Sequence, residues 1–452
     1  MKAIACALFL ASSLPALALD VKSLPAPKGE EVWYVSDHTL PIIALAAALP
    51  AGSAFDPAGK AGLANFAAQL IDEGAGTLRA GEFQTALGNR AIRLSVTADR
   101  DYVIVSLVTL SKNAKDAFQL LGQALSRPRF DGDAIARVRA QILADLDQQD
   151  EDPQAVAEKG FYQAFFRDHP YAHSVAGTAR SISTINAADL RRFAATHWVS
   201  RGLKVAVSGD VDQNTLAMLL KSAFGSLSAK GAQGLPAVSH YGKADISVIP
   251  MTVPQPNAVF GLPGMLRSDP EYMAAFVANY ILGGGGFASR LTGEVREKRG
   301  LTYDVSTSLE SLHKSGFVLG EVATKRGGMK DTVAVIRDTL RDFAQNGPTD
   351  TELADAKTYL TGSFPLSFSS NLGTADQLST FQRVGLTVEY VQNRNAAINA
   401  VTLDQVKRAA KRLFDPSRLT VVVAGSYGNS QPGNAHSGSP AVAGGRQSSS
   451  LH

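Results

Sequence analysis

The sequence predicts an α+β protein made of two similar halves, each a largely antiparallel sheet covered by helices on one face. Three observations indicate this architecture: an internal repeat, the grouping of strand and helix patterns within each copy, and a linker without apolar periodicity between the copies. Strands that group together and helices that group together are typical of α+β folds, whereas strict alternation would indicate a parallel sheet.

The repeat is clearest where a helix leads into a buried strand, at a constant offset of 216 residues. At this offset, residues 190–209, LRRFAATHWVSRGLKVAVSG, align with residues 406–425, VKRAAKRLFDPSRLTVVVAG. In each copy an amphipathic stretch precedes a short apolar run, which predicts a helix followed by a buried strand. The matched pairs are Arg192 and Arg408, Ala194 and Ala410, Leu203 and Leu419, Val205 and Val421, Val207 and Val423, and Gly209 and Gly425.

Two more helices and a strand recur in the same order. We therefore expect each half to contain strands, three successive helices and a final strand. The segments are strand 102–110 and helices 113–125 and 133–143 in the first half, and strand 316–324 and helices 328–340 and 351–360 in the second.

Segments of different composition separate the halves. Residues 226–245, SLSAKGAQGLPAVSHYGKAD, are rich in Gly, Ala, Ser and Pro and predict a linker between an N-terminal domain (19–225) and a C-terminal domain (246–425). Residues 426–452 lack apolar periodicity and are rich in Ser and Gly, which predicts a disordered tail.

The N-terminus has the pattern of a secretory signal peptide. Residues 1–18 hold one Lys, an apolar run too short to span a bilayer, and a small-x-small site at Ala16-Leu17-Ala18. We expect cleavage after Ala18 and a soluble periplasmic protein. No later apolar run reaches membrane-spanning length.

Composition excludes several kinds of function. Cys6 is the only cysteine and lies in the predicted signal peptide, so the mature chain has no disulfide, thiol nucleophile or thiolate metal site. The 44 basic and 41 acidic residues give a formal net charge of +3 without a block of one sign. Binding to nucleic acid therefore has little electrostatic support.

The stretch GLANFAAQLIDEGA (62–75) predicts a helix with one buried stripe. Its apolar residues, spaced i, i+3, i+4, i+7 and i+8, are Leu63, Phe66, Ala67, Leu70 and Ile71. On the other face Asn65 and Gln69 lie one turn apart, a spacing at which two side chains can hold one object. Neutral amides are nevertheless poor ligands for a metal such as zinc.

The other candidate motifs give little support for metal binding, catalysis or phosphate binding. His169 and His173 lie four apart, but Pro170 disfavours a helix there, so DHPYAH predicts a turn with a capping histidine rather than a metal site. Ser311 and Lys314 form an isolated SxxK in a strand-like segment, without the SDN and KTG motifs of that enzyme class. GGGG (283–286) lacks the GK[ST] that completes a phosphate-binding loop.

Residues from about 30 to 425 resemble the pitrilysin family of zinc peptidases, which includes insulysin and the mitochondrial processing peptidase. The resemblance is to its short two-repeat subfamily and, within that, to non-catalytic subunits. It is carried by GSAFDPAGKAGLANFAAQLIDEGA (52–75), DHPYAHSVAGT (168–178), VAVSGDVD (205–212) and, most specifically, LGGGGFASRLTGEVREKRGLTYDVST (282–307).

The resemblance implies that this chain has lost the zinc motif HxxEH. The first motif histidine falls at Asn65, the general base at Ala68 and the second histidine at Gln69. The distal glutamate ligand falls near Ala144 or Asp145, so at most one carboxylate is left in place. Because a catalytic zinc needs three good protein ligands, we expect no metal in this chain.

The second half keeps another part of the family's site. Arg296 in EVREKRG and Tyr303 in GLTYDV match an Arg and a Tyr that, in the family, reach substrate bound at the zinc site, with the Tyr placed to donate to the developing oxyanion. The alternative is that Arg296 is one more charge in a polar helix and Tyr303 an aromatic at a strand edge.

The resemblance implies a non-catalytic subunit of a heterodimeric zinc metallopeptidase that degrades peptides or unfolded segments. The chain would form half of a clamshell chamber and supply Arg296 and Tyr303, while a homologous partner carries HxxEH and zinc. A non-enzymatic peptide-binding or scaffold protein of the same fold is the alternative. A self-sufficient enzyme with other metal ligands is a third, and it would need stoichiometric metal in the isolated chain.

Overall fold

The computed structural model describes residues 19–428 except 26, 27, 29, 232 and 233. The predicted signal peptide and residues 429–452 of the predicted tail lie outside the described residues. No helix in the described part of the chain combines the length and the apolarity needed to cross a membrane.

The first half contains a large sheet, a short hairpin and a group of helices. Its strands are β1 (Lys22–Leu24), β2 (Glu31–Ser36), β3 (Ile42–Leu49), β4 (Gly74–Ala75), β5 (Leu78–Arg79), β6 (Arg93–Ala98), β7 (Val103–Leu110) and β8 (Lys204–Gly209). Its helices are α1 (Leu63–Gln69), α2 (Ala80–Gly88), α3 (Ala114–Ser126), α4 (Gly132–Glu151), α5 (Pro153–Phe166), α6 (Ala179–Thr184), α7 (Ala187–His197) and α8 (Gln213–Phe224).

The second half repeats the pattern with five strands and two π-helical segments, Tyr280–Gly284 and Thr292–Glu297. The strands are β9 (Ile246–Ile249), β10 (Asn257–Pro263), β11 (Thr302–Leu312), β12 (Ser315–Thr324) and β13 (Thr420–Ala424). The helices are α9 (Tyr272–Asn279), α10 (Met329–Asn346), α11 (Asp350–Gly362), α12 (Asn371–Arg383), α13 (Val388–Ala400) and α14 (Leu403–Leu413).

The two sheets have equivalent strand orders, which confirms the repeat and the largely antiparallel α+β fold. The first sheet runs β1-β2-β8-β3-β7-β6 and the second β11-β12-β10-β13-β9. In each sheet one pair is parallel, β2 with β8 and β9 with β13, and the other pairs are antiparallel. The predicted helix-to-strand units are α7–β8 and α14–β13, and the other predicted helices are α3, α4, α10 and α11.

Each sheet packs against helices of its own half, as the sequence predicts. The core of the first half joins β3, β7 and β8 to α1, α3, α4 and α7. The core of the second half joins β10, β12 and β13 to α9, α10 and α14.

The opposite face of each sheet is covered by a helix of the other half. Helix α5, from the first half, packs on β10 and β13, and α12, from the second half, packs on β3 and β8. The two helices occupy equivalent places in the repeat, so the halves exchange them reciprocally. The sequence analysis did not predict this exchange.

Small residues permit the close approach of both exchanged helices. A Cβ atom on Gly160 of α5 would lie 2.8 Å from Ile249 and 2.9 Å from Val422, and one on Gly261 of β10 would lie 2.5 Å from the Phe161 ring. On the other side the contact between β3 and α12 is made by a small cluster of buried alanines: Ala44, Ala46 and Ala375.

An aromatic cluster fixes α5 to the second sheet. Phe317 of β12 lies 5.6 Å from Phe165 and 5.4 Å from Phe166, measured between ring centroids. All three rings are fully buried. The predicted linker passes over this cluster, where the Gly242 amide donates to the Phe165 carbonyl (2.8 Å). The link between the halves is therefore mainly apolar.

We expect Phe165→Ala to lower the free energy of unfolding by about 3–5 kcal/mol, because it opens a cavity in a fully packed cluster. Urea unfolding followed by tryptophan fluorescence and by circular dichroism measures the loss. Both tryptophans, Trp33 and Trp198, lie in the first half. If the exchanged helices make the two halves unfold cooperatively, the fluorescence and circular-dichroism transitions shift together.

The matched control is Phe287→Ala, which removes a ring that is 73% exposed and should change the free energy of unfolding by no more than about 0.5 kcal/mol. A fluorescence transition that stays unchanged in Phe165→Ala while the dichroism shifts would contradict cooperative halves.

Candidate functional site

Helix α1 is the structural counterpart of the predicted zinc helix. The five residues of the predicted apolar stripe are all buried: Leu63, Phe66, Ala67, Leu70 and Ile71. The helix ends at Gln69, earlier than the sequence predicts. Ala64 and Ala68 are also buried, so only Asn65 and Gln69 retain partial exposure within the helix.

The side-chain amides of Asn65 and Gln69 hydrogen-bond to each other. Gln69 Nε2 donates to Asn65 Oδ1 at 3.3 Å. The residue at the position of the family's general base, Ala68, is 1% exposed and carries no group that can accept a proton. This surface of α1 has neither zinc ligands nor a catalytic base.

The position of the family's distal zinc ligand does not supply the missing metal ligands. On α4, which packs beside α1, Ala144 is exposed and Asp145 accepts a hydrogen bond from Gln141 Nε2 (3.1 Å). Within the described ranges, no three His, Cys, Asp or Glu side chains come together as a metal-binding group. The donor set therefore does not fit a catalytic zinc ion.

A buried carboxylate holds the start of α1. Asp56 accepts from the amides of Gly62 (2.7 Å) and Ala64 (2.8 Å), at the positive end of the helix. His173 Nε2 lies 3.6 Å from Asp56 Oδ2 and 2.7 Å from the Ser53 carbonyl. The helix is thus anchored by groups independent of the zinc-motif positions.

The histidine pair confirms the prediction of a capped turn. His169 Nδ1 accepts from the Tyr171 amide (3.2 Å) and caps a 3₁₀ turn that begins at Pro170. His173 supports Asp56 instead of sharing a ligand with His169.

Tyr303 lies on a β-bulge at the edge of the second sheet. Between Thr302 and Val305 the register of β11 shifts, so that two residues oppose one on β12. The buried Thr302 hydroxyl donates to the Ala323 carbonyl (2.5 Å) and accepts from the Asp304 amide (3.1 Å), which holds the bulge. Tyr303 is consequently 84% exposed. Bulges often redirect a side chain in this way beside active sites.

Arg296 lies on the π-helical segment before this strand. Its guanidinium carbon is 4.6 Å from the ring centroid of Phe287, a cation–π contact. Phe287 belongs to the glycine-rich stretch of the same motif and is 73% exposed. We refer to Phe287, Arg296 and Tyr303 as the Arg296/Tyr303 surface. Sequence reasoning missed Phe287, because an exposed aromatic in a glycine-rich turn has no periodic signature.

The glycines next to this surface have a packing role. A Cβ atom on Gly283 would lie 2.4 Å from Thr307 Oγ1 of β11. Arg290 also supports the fold, since it binds both carboxylate oxygens of Glu352 (2.6 and 2.8 Å). Burial raises the pKa of Glu352, but the bonds from Arg290 and Thr349 outweigh burial and lower it to about 2.

The two sequence-predicted regions lie beside different sheets. Helix α1 packs against β6, the edge strand of the first sheet, and the Arg296/Tyr303 surface is next to β11, the edge strand of the second. Among the described residues, no hydrogen bond or ion pair joins the two regions. The chain thus does not unite them into one site.

The fold and the motifs agree with comparisons with known proteins. Residues 31–179 match the family described as insulinase, peptidase family M16, and residues 184–360 match its companion described as the peptidase M16 inactive domain. Together the two matches cover most of the chain. The chain belongs to the M16 peptidase family, and it lacks the family's HxxEH motif.

Relatives of similar length exist among proteins and solved structures. The non-peptidase homolog YmxG of Helicobacter pylori is 28% identical over 395 residues, which cover 87% of this chain and 91% of that protein. The peptidase M16 inactive domain from Pseudomonas fluorescens is 29% identical, covers 90% of this chain and 98% of its own, and superposes with a TM-score of 0.84. A chain of complex III2 from Candida albicans, 16% identical over 90% of this chain and 96% of its own, has the same fold with a TM-score of 0.74.

We expect the double substitution Asn65→His and Gln69→His to create zinc binding that the native chain lacks, because two imidazoles one helical turn apart can share a zinc ion. Isothermal titration of the metal-free chain with zinc chloride measures it. The single substitution Asn65→His is the control. Stoichiometric zinc binding by the native chain would contradict this reading of α1.

The anchor of α1 should make stability depend on pH. Burial lowers the pKa of His173, but its bonds to Asp56 and to the Ser53 carbonyl outweigh burial and raise the pKa above 6.5. A histidine with a raised folded-state pKa stabilises the fold below its unfolded pKa, and this contribution is lost as the pH rises through the folded pKa. We therefore expect the contribution of His173 to the melting temperature to be lost as the pH rises above about 6.5.

Thermal melts from about pH 5.5 to 8.5 of the native chain and of His173→Gln measure this effect. The variant should show the smaller decrease. Parallel profiles for the two proteins would mean that His173 does not contribute to the pH dependence.

Proposed function

We propose that this chain is the non-catalytic subunit of a periplasmic, heterodimeric zinc metallopeptidase. In this proposal a homologous partner carries HxxEH and zinc, and this chain contributes Arg296 and Tyr303 to the partner's active site. The substrates are peptides or unfolded segments, enclosed in a chamber of which each subunit forms half.

The observation that carries the proposal is the contrast between the two motif regions. At α1 the ligand and base positions are Asn65, Ala68 and Gln69, and the side chains of Asn65 and Gln69 hydrogen-bond to each other. At β11 a bulge exposes 84% of Tyr303. Because the phenol of Tyr303 is so exposed, it does not stabilise the core of its own chain. It is available to bind a group outside the chain.

The chemistry of the Arg296/Tyr303 surface suits the oxyanion of a peptide-bond cleavage. A phenolic hydroxyl is a strong donor without charge, and it can bind the oxygen on which negative charge develops. The Phe287 ring under Arg296 restricts the guanidinium and leaves its N–H groups free at the edge of the stack. Such ordering before binding lowers the entropic cost of contacting a substrate.

Strand edges next to both regions suit an extended substrate. β6 and β11 are edge strands of their sheets, so each presents unpaired backbone groups on one side. A peptide can add to such an edge as a further strand, which requires it to be unfolded there. This supports peptides and unfolded segments as the substrate class.

A mixing experiment tests the proposal. Cleavage of a quenched, unstructured peptide is followed with this chain alone, with an HxxEH homologue from the same periplasm alone, and with both. We expect chelator-sensitive activity only in the mixture. Tyr303→Phe should lower kcat by about 100- to 1000-fold, as for loss of one oxyanion donor. Arg296→Ala should also abolish most of the activity.

Two conservative controls lie on the same half of the chain. Tyr359→Phe removes a hydroxyl from another exposed tyrosine, and Arg341→Ala removes an exposed arginine paired with Asp338. Both should leave the activity of the mixture unchanged. A mixture that stays inactive but still binds peptide would favour a scaffold or peptide-binding protein, and activity unaffected by Tyr303→Phe would exclude the shared active site.

A further inference from the structure

A cavity of about 560 Å³ lies between the two halves. The first half contributes the turn between β6 and β7 and part of α5, and the second half contributes α9, the end of β11, α12 and α13. The volume is in the range of small-molecule sites in proteins. None of its lining residues belongs to the Arg296/Tyr303 surface.

Two arginines in this cavity are held against aromatic rings. Arg267 lies 4.2 Å from the ring centroid of Tyr272 and 4.8 Å from that of Tyr390. Arg394, on α13, lies 4.2 Å from the centroid of Phe364 and is 8% exposed. Its Nη1 donates to the Leu360 carbonyl at 3.0 Å.

Neither arginine has a carboxylate partner among the described residues. In the described part of the chain, no Asp or Glu oxygen lies within 4.0 Å of a guanidinium nitrogen of Arg267 or Arg394. Burial lowers the pKa of Arg394, and the charge of Arg267 lowers it further, while Tyr390 acts in the opposite direction. Two neighbouring cations in a partly buried site without a counterion are costly unless an anion joins them.

The carboxylates that line the cavity are engaged elsewhere. Asp99 pairs with Arg383 at 2.8 Å. Asp101 accepts from the Tyr171 hydroxyl (2.6 Å) and from the His313 amide (2.8 Å). Glu310 accepts from the Ser308 hydroxyl (2.6 Å). The lining holds four arginines, at 100, 267, 383 and 394, against these three carboxylates, so the cavity keeps an excess of positive charge.

We propose that this cavity binds a small organic anion, a carboxylate carried on an apolar or aromatic body, with Arg267 and Arg394 as the residues that bind the carboxylate. The stacked guanidinium groups keep N–H donors available at their edges, and these match the two oxygens of a carboxylate. The rings of Tyr272, Tyr390 and Phe364 cover the apolar part of the ligand. The proposal does not rest on the proposed peptidase function, because it concerns the isolated chain.

Two kinds of ligand carry a carboxylate on an apolar or aromatic body: the C-terminus of a short peptide and a free aromatic acid. Both place a planar anion next to an apolar group. Because both halves line the cavity, a bound ligand contacts both and should stabilise the chain as a whole.

Isothermal titration of the full chain tests the site with four probes. They are acetyl-Ala-Ala-Phe with a free carboxylate, the same peptide as its C-terminal amide, benzoate, and inorganic phosphate. We expect the free acid to bind at least about 10-fold more tightly than the amide, since only the acid offers two charged acceptors. Phosphate, which has no apolar body, should bind more weakly than the free acid. Tight binding of benzoate would identify free aromatic acids as the source, and binding of the peptide acid alone would identify a peptide terminus.

Substitutions distinguish specific binding by the two arginines from a general effect of charge. Arg267→Gln should weaken binding of the free acid by about 10- to 100-fold and leave binding of the amide unchanged. Arg394→Lys keeps the positive charge but loses the planar set of guanidinium N–H donors. It should therefore also weaken binding of the free acid. Arg341→Gln, outside the cavity, should bind like the native chain. Circular dichroism checks the fold of each variant, and if the buried Arg394 variant does not fold, Arg267→Gln decides alone.

Equal affinity for the acid and the amide would overturn the proposal. Unchanged affinity in Arg267→Gln, or phosphate binding as tight as that of the peptide acid, would overturn it as well.

Discussion

Each sheet of this protein has two apolar faces, and helices of its own half cover only one of them. The second face is buried by α5 on one side and by α12 on the other, each supplied by the opposite half. Burial of this area is favourable only when both halves are in place. The relative position of the halves, the strand edges that stay open and the cavity between them all follow from this exchange.

Packing within the first half explains how α1 persists without its chemistry. The helix is held by its buried stripe and by Asp56, whose carboxylate accepts from two backbone amides at its start. None of these interactions involves the side chains of Asn65 and Gln69, and Ala68 is itself a buried member of the core. The side chains present at the zinc-motif positions therefore supply neither metal ligands nor a base, while the apolar stripe and Asp56 still hold the helix.

Polar groups at the junction of the halves are of two kinds. Some serve as connections: Asp99 pairs with Arg383, and Asp101 binds Tyr171 and the His313 amide. Others, Arg267 and Arg394, have aromatic neighbours but no carboxylate among the described residues. The first kind fixes the interface, and the second gives the cavity its unbalanced charge. Neither kind is detectable by periodicity.

The repeat, the order of the predicted helices and strands, the buried stripe of α1 and the capped turn at DHPYAH could be predicted from the amino-acid pattern, and the family resemblance added the loss of the zinc ligands. These depend on neighbours in the chain or on residue chemistry, which a sequence displays directly. Three features could not be predicted in this way: the packing of α5 and α12 on the sheet of the opposite half, the bulge that exposes Tyr303, and the placement of Arg267 and Arg394 in one cavity without a carboxylate partner among the described residues. An apolar pattern states that a face is buried but not against which partner, because the partner is chosen by packing between residues far apart in the chain.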